Sequence, residues 1–142
     1  PRRGYEFVTQ KIVSSVVKIS MNLTDTIELG NINALRDWGY AKDYVEGMSM
    51  MLSHSQPDDF VLATGKLHSV RDFLDVAFSY FKLDYNNYLK INKNFFRPTE
   101  TIPLCGDYTK ARVELNWKPK KQFEDIITEM IENELKIQEL QR

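Results

Sequence analysis

Phe60-Val61-Leu62-Ala63-Thr64-Gly65-Lys66-Leu67-His68-Ser69-Val70-Arg71-Asp72-Phe73-Leu74 holds the strongest pattern in the chain. Its first five residues form an unbroken apolar run that ends at Gly65, as suits a strand buried on both faces of a parallel sheet. Ser69 then opens a helix. Asp72 stands three residues on, where it can complete a near capping box with Asp in place of Glu or Gln. Val70, Phe73, Leu74, Ala77, Phe78 and Phe81 follow at helical spacing. Strand, short Gly-containing turn and capped helix predict an α/β or α+β architecture.

The flanking segments alternate in the same way. The spacing of Val8, Ile12, Ser15, Val16 and Ile19 predicts a helix over 7–21. Thr26 to Leu29 reads as a short strand, and 31–39 as a loop that holds Arg36, Asp37 and Trp38. A helix is expected over 41–53, with Tyr44, Val45, Met48, Met51 and Leu52 as its apolar face. Gly47 inside it costs about 1 kcal/mol relative to Ala, which points to close packing there. One strand is expected near 89–96. Asp107 is a good N-cap for a short helix through Leu115. A last helix runs over 121–140, with Phe123, Ile126, Ile127, Met130, Ile131 and Leu135 as its stripe.

Composition narrows the function. The 142 residues are 42% hydrophobic and 27% charged, enough for one core. Nineteen Lys and Arg oppose twenty Asp and Glu, a net charge of −1. There is no basic excess to hold a phosphate backbone, so nucleic acid is not expected as a partner. Apolar runs are too short to span a membrane, so no membrane partner is expected either. One cysteine, Cys105, excludes an internal disulfide and a multi-cysteine zinc site. With no membrane span and no visible signal peptide, a cytoplasmic location is expected. Cys105 is expected to be a buried, inert thiol.

The six glycines are scattered, and Thr64-Gly65-Lys66-Leu67-His68-Ser69 lacks the remaining glycines of a dinucleotide fingerprint. His54 and His68 fall in different loops with no metal-ligand spacing. No nucleophile–base pair is visible. What remains are cations in structural settings. Arg2-Arg3-Gly4 precedes a helix N-terminus, and Lys11 lies three residues from Val8 on the same helix side. Arg36 sits in a short loop beside Asp37 and Trp38, and Arg97-Pro98-Thr99-Glu100 follows Phe95-Phe96. Guanidinium groups bind phosphate bidentately, and Glu100 can accept from a ribose or sugar hydroxyl. Surface ion pairing, for example of Arg36 with Asp37 or Asp43, is the simpler alternative for each one alone.

Read in order, several blocks carry a resemblance. They are Pro1-Arg2-Arg3-Gly4, Phe7-Val8-Thr9-Gln10-Lys11, Leu29-Gly30-Asn31 and Arg36-Asp37-Trp38-Gly39-Tyr40-Ala41-Lys42-Asp43-Tyr44-Val45-Glu46. After them come Ala63-Thr64-Gly65, His68-Ser69-Val70-Arg71, Phe96-Arg97-Pro98-Thr99-Glu100, Gly106-Asp107 and Leu115-Asn116-Trp117-Lys118-Pro119. The series closely resembles the C-terminal half of GDP-mannose 4,6-dehydratases, in the extended short-chain dehydrogenase/reductase superfamily. The resemblance covers nearly the whole of 1–142.

It implies an α/β fold: the C-terminal substrate-binding part of an extended Rossmann-like protein, its N-terminal Rossmann half missing here. It implies an NADP-dependent lyase that converts GDP-mannose to GDP-4-keto-6-deoxymannose plus water, the first step toward GDP-fucose and related deoxysugars. By the resemblance Arg3 contacts NADP, Val8 and Lys11 contact substrate, Arg36 contacts substrate phosphate, and Arg97 and Glu100 hold the GDP moiety. Homodimers or tetramers are implied as well. The family's Gly-rich loop, Tyr-x-x-x-Lys pair and upstream Thr and Glu are absent from the sequence, so no catalytic residue is assigned. The stretch from Lys82 to Lys93 is shorter than the insertion many members carry.

Pro1 is therefore expected to be an internal position of a longer protein, and the chain alone to be inactive. Two alternatives stay open: an epimerase or reductase acting on another nucleotide sugar, and a non-catalytic binding or assembly module of the same fold.

Overall fold

The computed structural model describes residues 1–96 and 102–140. The elements run α1 (Val8–Ser20), β1 (Ile27–Leu29), β2 (Leu35–Arg36), α2 (Ala41–Leu52), β3 (His68–Ser69), α3 (Val70–Tyr80), β4 (Leu89–Ile91), α4 (Thr109–Glu114) and α5 (Phe123–Leu140). Single turns of 3₁₀-helix occupy Tyr85–Asn87 and Lys93–Phe95. The chain is mixed α/β. It divides into two compact units, one of residues 1–34, 69–101 and 127–142, the other of residues 35–68 and 102–126.

The first unit is built on helix periodicity. In α1, Ile12, Val13, Val16 and Val17 are fully buried, against α3 with its buried Val70, Phe73, Leu74, Ala77 and Phe78. Burying side chains of this size contributes about 1.5–3 kcal/mol each before chain entropy is counted. The buried face of α1 is wider than its apolar spacing suggests. Gln10 and Ser14 lie inside it, while Val8 and Ser15 sit half-buried at its edge.

The capping box on α3 is complete. Ser69 Oγ accepts from Asp72 N at 3.0 Å, and Asp72 Oδ2 accepts from Ser69 N at 2.7 Å. β1 pairs with β4 in parallel, with Ile27 opposite Leu89 and Leu29 opposite Ile91. A parallel pair needs a long crossover, and the chain between these strands holds α2 and α3.

In α5, Glu134 is fully buried, although a glutamate in a charge-rich helix reads as solvent-facing. Its Oε2 accepts from Gln10 Nε2 at 2.9 Å and from Tyr5 Oη at 3.4 Å, and its Oε1 accepts from Gln138 Nε2 at 3.0 Å. The buried carboxylate is thus supplied with donors, as burial of a polar group requires.

The second unit corrects two expectations. Phe60 to Thr64 forms no strand among the described residues, and Val61 is 53% exposed. A strand exists only through pairing, and no described strand pairs with this run. Leu62 packs against α2 instead. The face of α2 is also rotated. Asp43 and Gly47 are its buried residues, whereas Val45, Met48 and Leu52 point outward. Gly47 explains the rotation, since a Cβ there would come within 2.7 Å of Leu62 and 2.9 Å of the Trp117 indole nitrogen.

Asp43 is buried because it is fully used. Its carbonyl accepts from Trp117 Nε1 at 2.8 Å, and its Oδ2 accepts from the N–H of Lys120 and Lys121 at 2.8 and 3.1 Å. Trp117 is 1% exposed and centres a core with Ala111 and Leu115, packed by Tyr44, Phe60 and Leu62. Smaller differences remain. The predicted loop 31–39 contains β2. Tyr108, not Asp107, is the residue before α4, although Asp107 Oδ1 still accepts from Thr109 N at 2.8 Å. Cys105 is exposed, not buried, on the loop between Pro103 and Gly106.

Candidate functional site

The first unit carries a strip of alternating cations and rings. Phe7 caps α1 in an extended conformation with no side-chain hydrogen bond, and the first turn of the helix contains no acidic residue. Its end therefore keeps its partial positive charge. The Arg3 guanidinium carbon lies 3.5 Å from the Phe7 ring centroid. One turn on, Lys11 N donates to Phe7 O at 2.9 Å, and Lys11 Nζ lies 4.4 Å from the Phe95 ring centroid. Val8 is half-buried at the head of the helix. Phe95 is held near by Asn92, whose N–H donates to Leu29 O at 2.8 Å at the end of β1.

Arg3, Val8 and Lys11 thus fall on one stretch of the first unit, and Lys11 meets the segment that leads to Arg97. Arg97 and Glu100 lie outside the described residues. Phe7, Phe95 and Phe96 are 39%, 49% and 48% exposed. Exposed rings with cations over them offer flat stacking faces beside charge, a combination suited to a ring joined to phosphate. Sequence reading found the cations and missed the rings Phe7 and Phe95. Their signal was position: one turn before Lys11 and two residues before Arg97.

In the second unit, Arg36 ends β2, half-buried, and its Nη1 donates to Leu35 O at 2.7 Å. The next residue is the best-bonded side chain nearby. Asp37 Oδ1 accepts from Thr64 N at 2.9 Å and from the Thr64 hydroxyl, and its Oδ2 accepts from Gly65 N at 3.0 Å and Gly106 N at 3.1 Å. Burial pushes this carboxyl up, but the Thr64 hydroxyl and the three backbone N–H groups outweigh it. The net result lies below the ordinary carboxylate value. Sequence reading offered Asp37 only as an ion-pair partner for Arg36.

Trp38, Phe123 and His68 form a stack, with centroids 5.9 Å apart for Trp38–Phe123 and 3.9 Å for His68–Phe123. They line a pocket of about 210 Å³ with Thr64, Lys66 and Tyr108. Among the described residues, Arg3, Val8, Lys11 and Arg36 do not line it. Among the described residues no cluster of three or more His, Cys, Asp or Glu could hold a metal, and no helix is long and apolar enough to cross a membrane.

A family model described as GDP-mannose 4,6 dehydratase matches residues 1–130. GDP-mannose 4,6 dehydratase 1 of Arabidopsis thaliana is 47% identical over 137 residues, covering 96% of this chain and 38% of that protein. GDP-mannose 4,6 dehydratase of Homo sapiens is 40% identical over 154 residues, covering 96% of this chain and 41% of that protein. The chain therefore spans about two fifths of the length of these curated relatives. The longer human alignment, for the same share of this chain, contains positions that this chain lacks.

Among solved structures, RMD from Pseudomonas aeruginosa, complexed with NADPH, superposes with a TM-score of 0.87 at 15% identity. That superposition covers 96% of this chain and 45% of that one, and at this identity it bears on the fold alone. Taken with a family match that runs through both units, these likenesses lead to one conclusion: the chain belongs to the GDP-mannose 4,6 dehydratase family.

Proposed function

We propose that this chain supplies the substrate-side residues of a GDP-mannose 4,6-dehydratase, a lyase that forms GDP-4-keto-6-deoxymannose and water from GDP-mannose. The observation that carries the reading is the family match over 1–130, supported by 47% identity to the Arabidopsis relative. Arg36 holds a phosphate of the substrate. Val8 and Lys11 line the substrate from α1, with the cationic end of Lys11 kept on the surface by the Phe95 ring. Arg97 and Glu100 hold the GDP moiety in the same proposal.

The nucleotide cofactor is NADP, and Arg3 is its contact in this chain. The fit is supported by the placement of Arg3, whose exposed guanidinium is stacked on Phe7 and keeps its in-plane N–H donors for phosphate oxygens. NADP, held in part by Arg3, would supply the hydride acceptor and donor for oxidation at C4 and reduction at C6 of the sugar, with loss of water across C5–C6. The groups of this chain bind and orient; it holds no Tyr-x-x-x-Lys pair to move protons, and alone it is inactive. Assembly into homodimers or tetramers and a cytoplasmic location belong to the same proposal.

The test is a chimera, in which the matching stretch of the Arabidopsis relative is replaced by this chain. Turnover of GDP-mannose with NADP, against UDP-glucose and dTDP-glucose, is then measured. Preference for GDP-mannose supports the reading. Turnover of the UDP or dTDP sugar in its place, or none at all from a folded chimera, overturns it.

A further inference from the structure

Three segments of the second unit meet at one carboxylate. Asp37 follows Arg36 directly at the end of β2. Thr64 and Gly65 come from the turn after the Phe60–Thr64 run, and Gly106 from the loop before α4. The donors are divided evenly: Oδ1 takes both Thr64 groups, and Oδ2 takes the N–H of Gly65 and of Gly106. Two of the donors come from glycines for steric reasons. Gly65 has φ +70°, which side chains disfavour, and a Cβ on Gly106 would collide with that of Ala63. Apart from the short β2–β3 pair that ends at Arg36, none of these segments brings a regular hydrogen-bond ladder to the junction. The Asp37 carboxylate is therefore the fixed point of their backbones, and Arg36 is one peptide away from it.

We propose that Asp37 is a positioning residue for Arg36: its four hydrogen bonds hold the 36–38 backbone and thereby fix the direction in which the Arg36 guanidinium is presented. The consequence for binding rests on the reading of Arg36 as a substrate-phosphate contact. The positioning itself does not, because it follows from the bonds of Asp37 to its neighbours, beside the Arg36 Nη1 bond to Leu35 O. Pre-orientation matters because ordering a long side chain at the moment of binding subtracts from affinity. An arginine held in place beforehand avoids that loss.

Asparagine is the discriminating substitution. It keeps size and shape, but either orientation sets an NH₂ donor against two donors of the junction. The probe is nitrogen relaxation of the Arg36 backbone N–H and Nε–H in the 142-residue chain. Arg71 of the other unit serves as internal control, since it is tied to Tyr85 Oη at 3.0 Å and Asn33 Oδ1 at 3.1 Å. In Asp37→Asn the backbone order parameter of Arg36 is expected to fall from about 0.85 toward about 0.6, with Arg71 unchanged.

Thr64→Val keeps the Thr64 backbone bond to Asp37 and removes the hydroxyl's bonds to Asp37 and to the Lys66 backbone at 3.3 and 3.4 Å. It is expected to give a smaller fall, and it serves as the test if Asp37→Asn does not fold. Unchanged Arg36 order in a folded variant overturns the proposal. So does an equal loss at Arg36 and Arg71, which reports general loosening. In the chimera, Asp37→Asn is expected to raise KM for GDP-mannose about tenfold, with kcat within about twofold and KM for NADP unchanged. A parent chimera indifferent to GDP-mannose counts against the proposed function and leaves the relaxation result to judge Asp37.

Discussion

The two units of this chain are held together by different physics. The first relies on aliphatic and aromatic side chains in register: α1 against α3, both amphipathic, with a parallel strand pair beside them. The second relies on two aspartates. Asp43 and Asp37 each collect backbone N–H groups from segments distant in sequence, around a core centred on one tryptophan. A periodic pattern can specify the first kind of unit. The second kind is specified by single residues, and its resistance to acid is tied to the charge state of Asp37.

The largest expected effect falls in the first unit. Phe73 is 2% exposed, and Phe73→Ala is expected to cost about 3–5 kcal/mol in urea unfolding. A loss below about 1 kcal/mol would mean that the α1–α3 packing is not what holds this unit.

The second unit is expected to fail first in acid. Asp37 titrates below its unfolded value, so its contribution is present above the unfolded pKa and is lost as pH falls through the folded one. The window lies below about pH 4, the ordinary carboxylate range. Both tryptophans, Trp38 and Trp117, belong to the second unit, so their fluorescence reports it alone. An acid transition in fluorescence that precedes loss of helical circular dichroism supports the contrast between the units. Coincident transitions would erase it.

A smaller effect is expected at the α3 cap. Ser69→Ala should cost about 1 kcal/mol in the same urea titration, and no measurable loss would deny the capping box its role. The smallest is weak association. Val45, Met48, Leu52 and Val61 form exposed apolar surface in the second unit, beside a run with no strand partner. Light scattering is expected to show concentration-dependent association, reduced by Leu52→Lys. A monomer at every concentration would contradict this.

The same contrast sorts what could be read in advance. The helices α1, α3 and α5 were legible because their apolar residues recur at helical spacing, and Ser69 with Asp72 announced the start of α3. The outward face of α2 was not legible. Val45, Met48 and Leu52 share a helical stripe, and hydropathy ranks that stripe above one holding Asp43 and Gly47. The N–H groups of Lys120 and Lys121, far along the chain, satisfy the Asp43 carboxylate, and the Trp117 indole takes its carbonyl. Phe60 to Thr64 reads as a strand by composition, but pairing is a property of the neighbour, which no local pattern records. At the candidate site, Arg3, Lys11 and Arg36 were legible as cations beside breaks in structure. Phe7, Phe95 and Asp37, which orient them, were not, because their roles come from tertiary contacts.

The central claim is that Arg36 meets a substrate phosphate. The direct test is the KM for GDP-mannose of the chimera with Arg36→Ala. A charge-assisted hydrogen bond contributes about 1.5–3 kcal/mol, so KM is expected to rise about 10–150-fold. An unchanged KM in a folded, active protein would contradict the assignment.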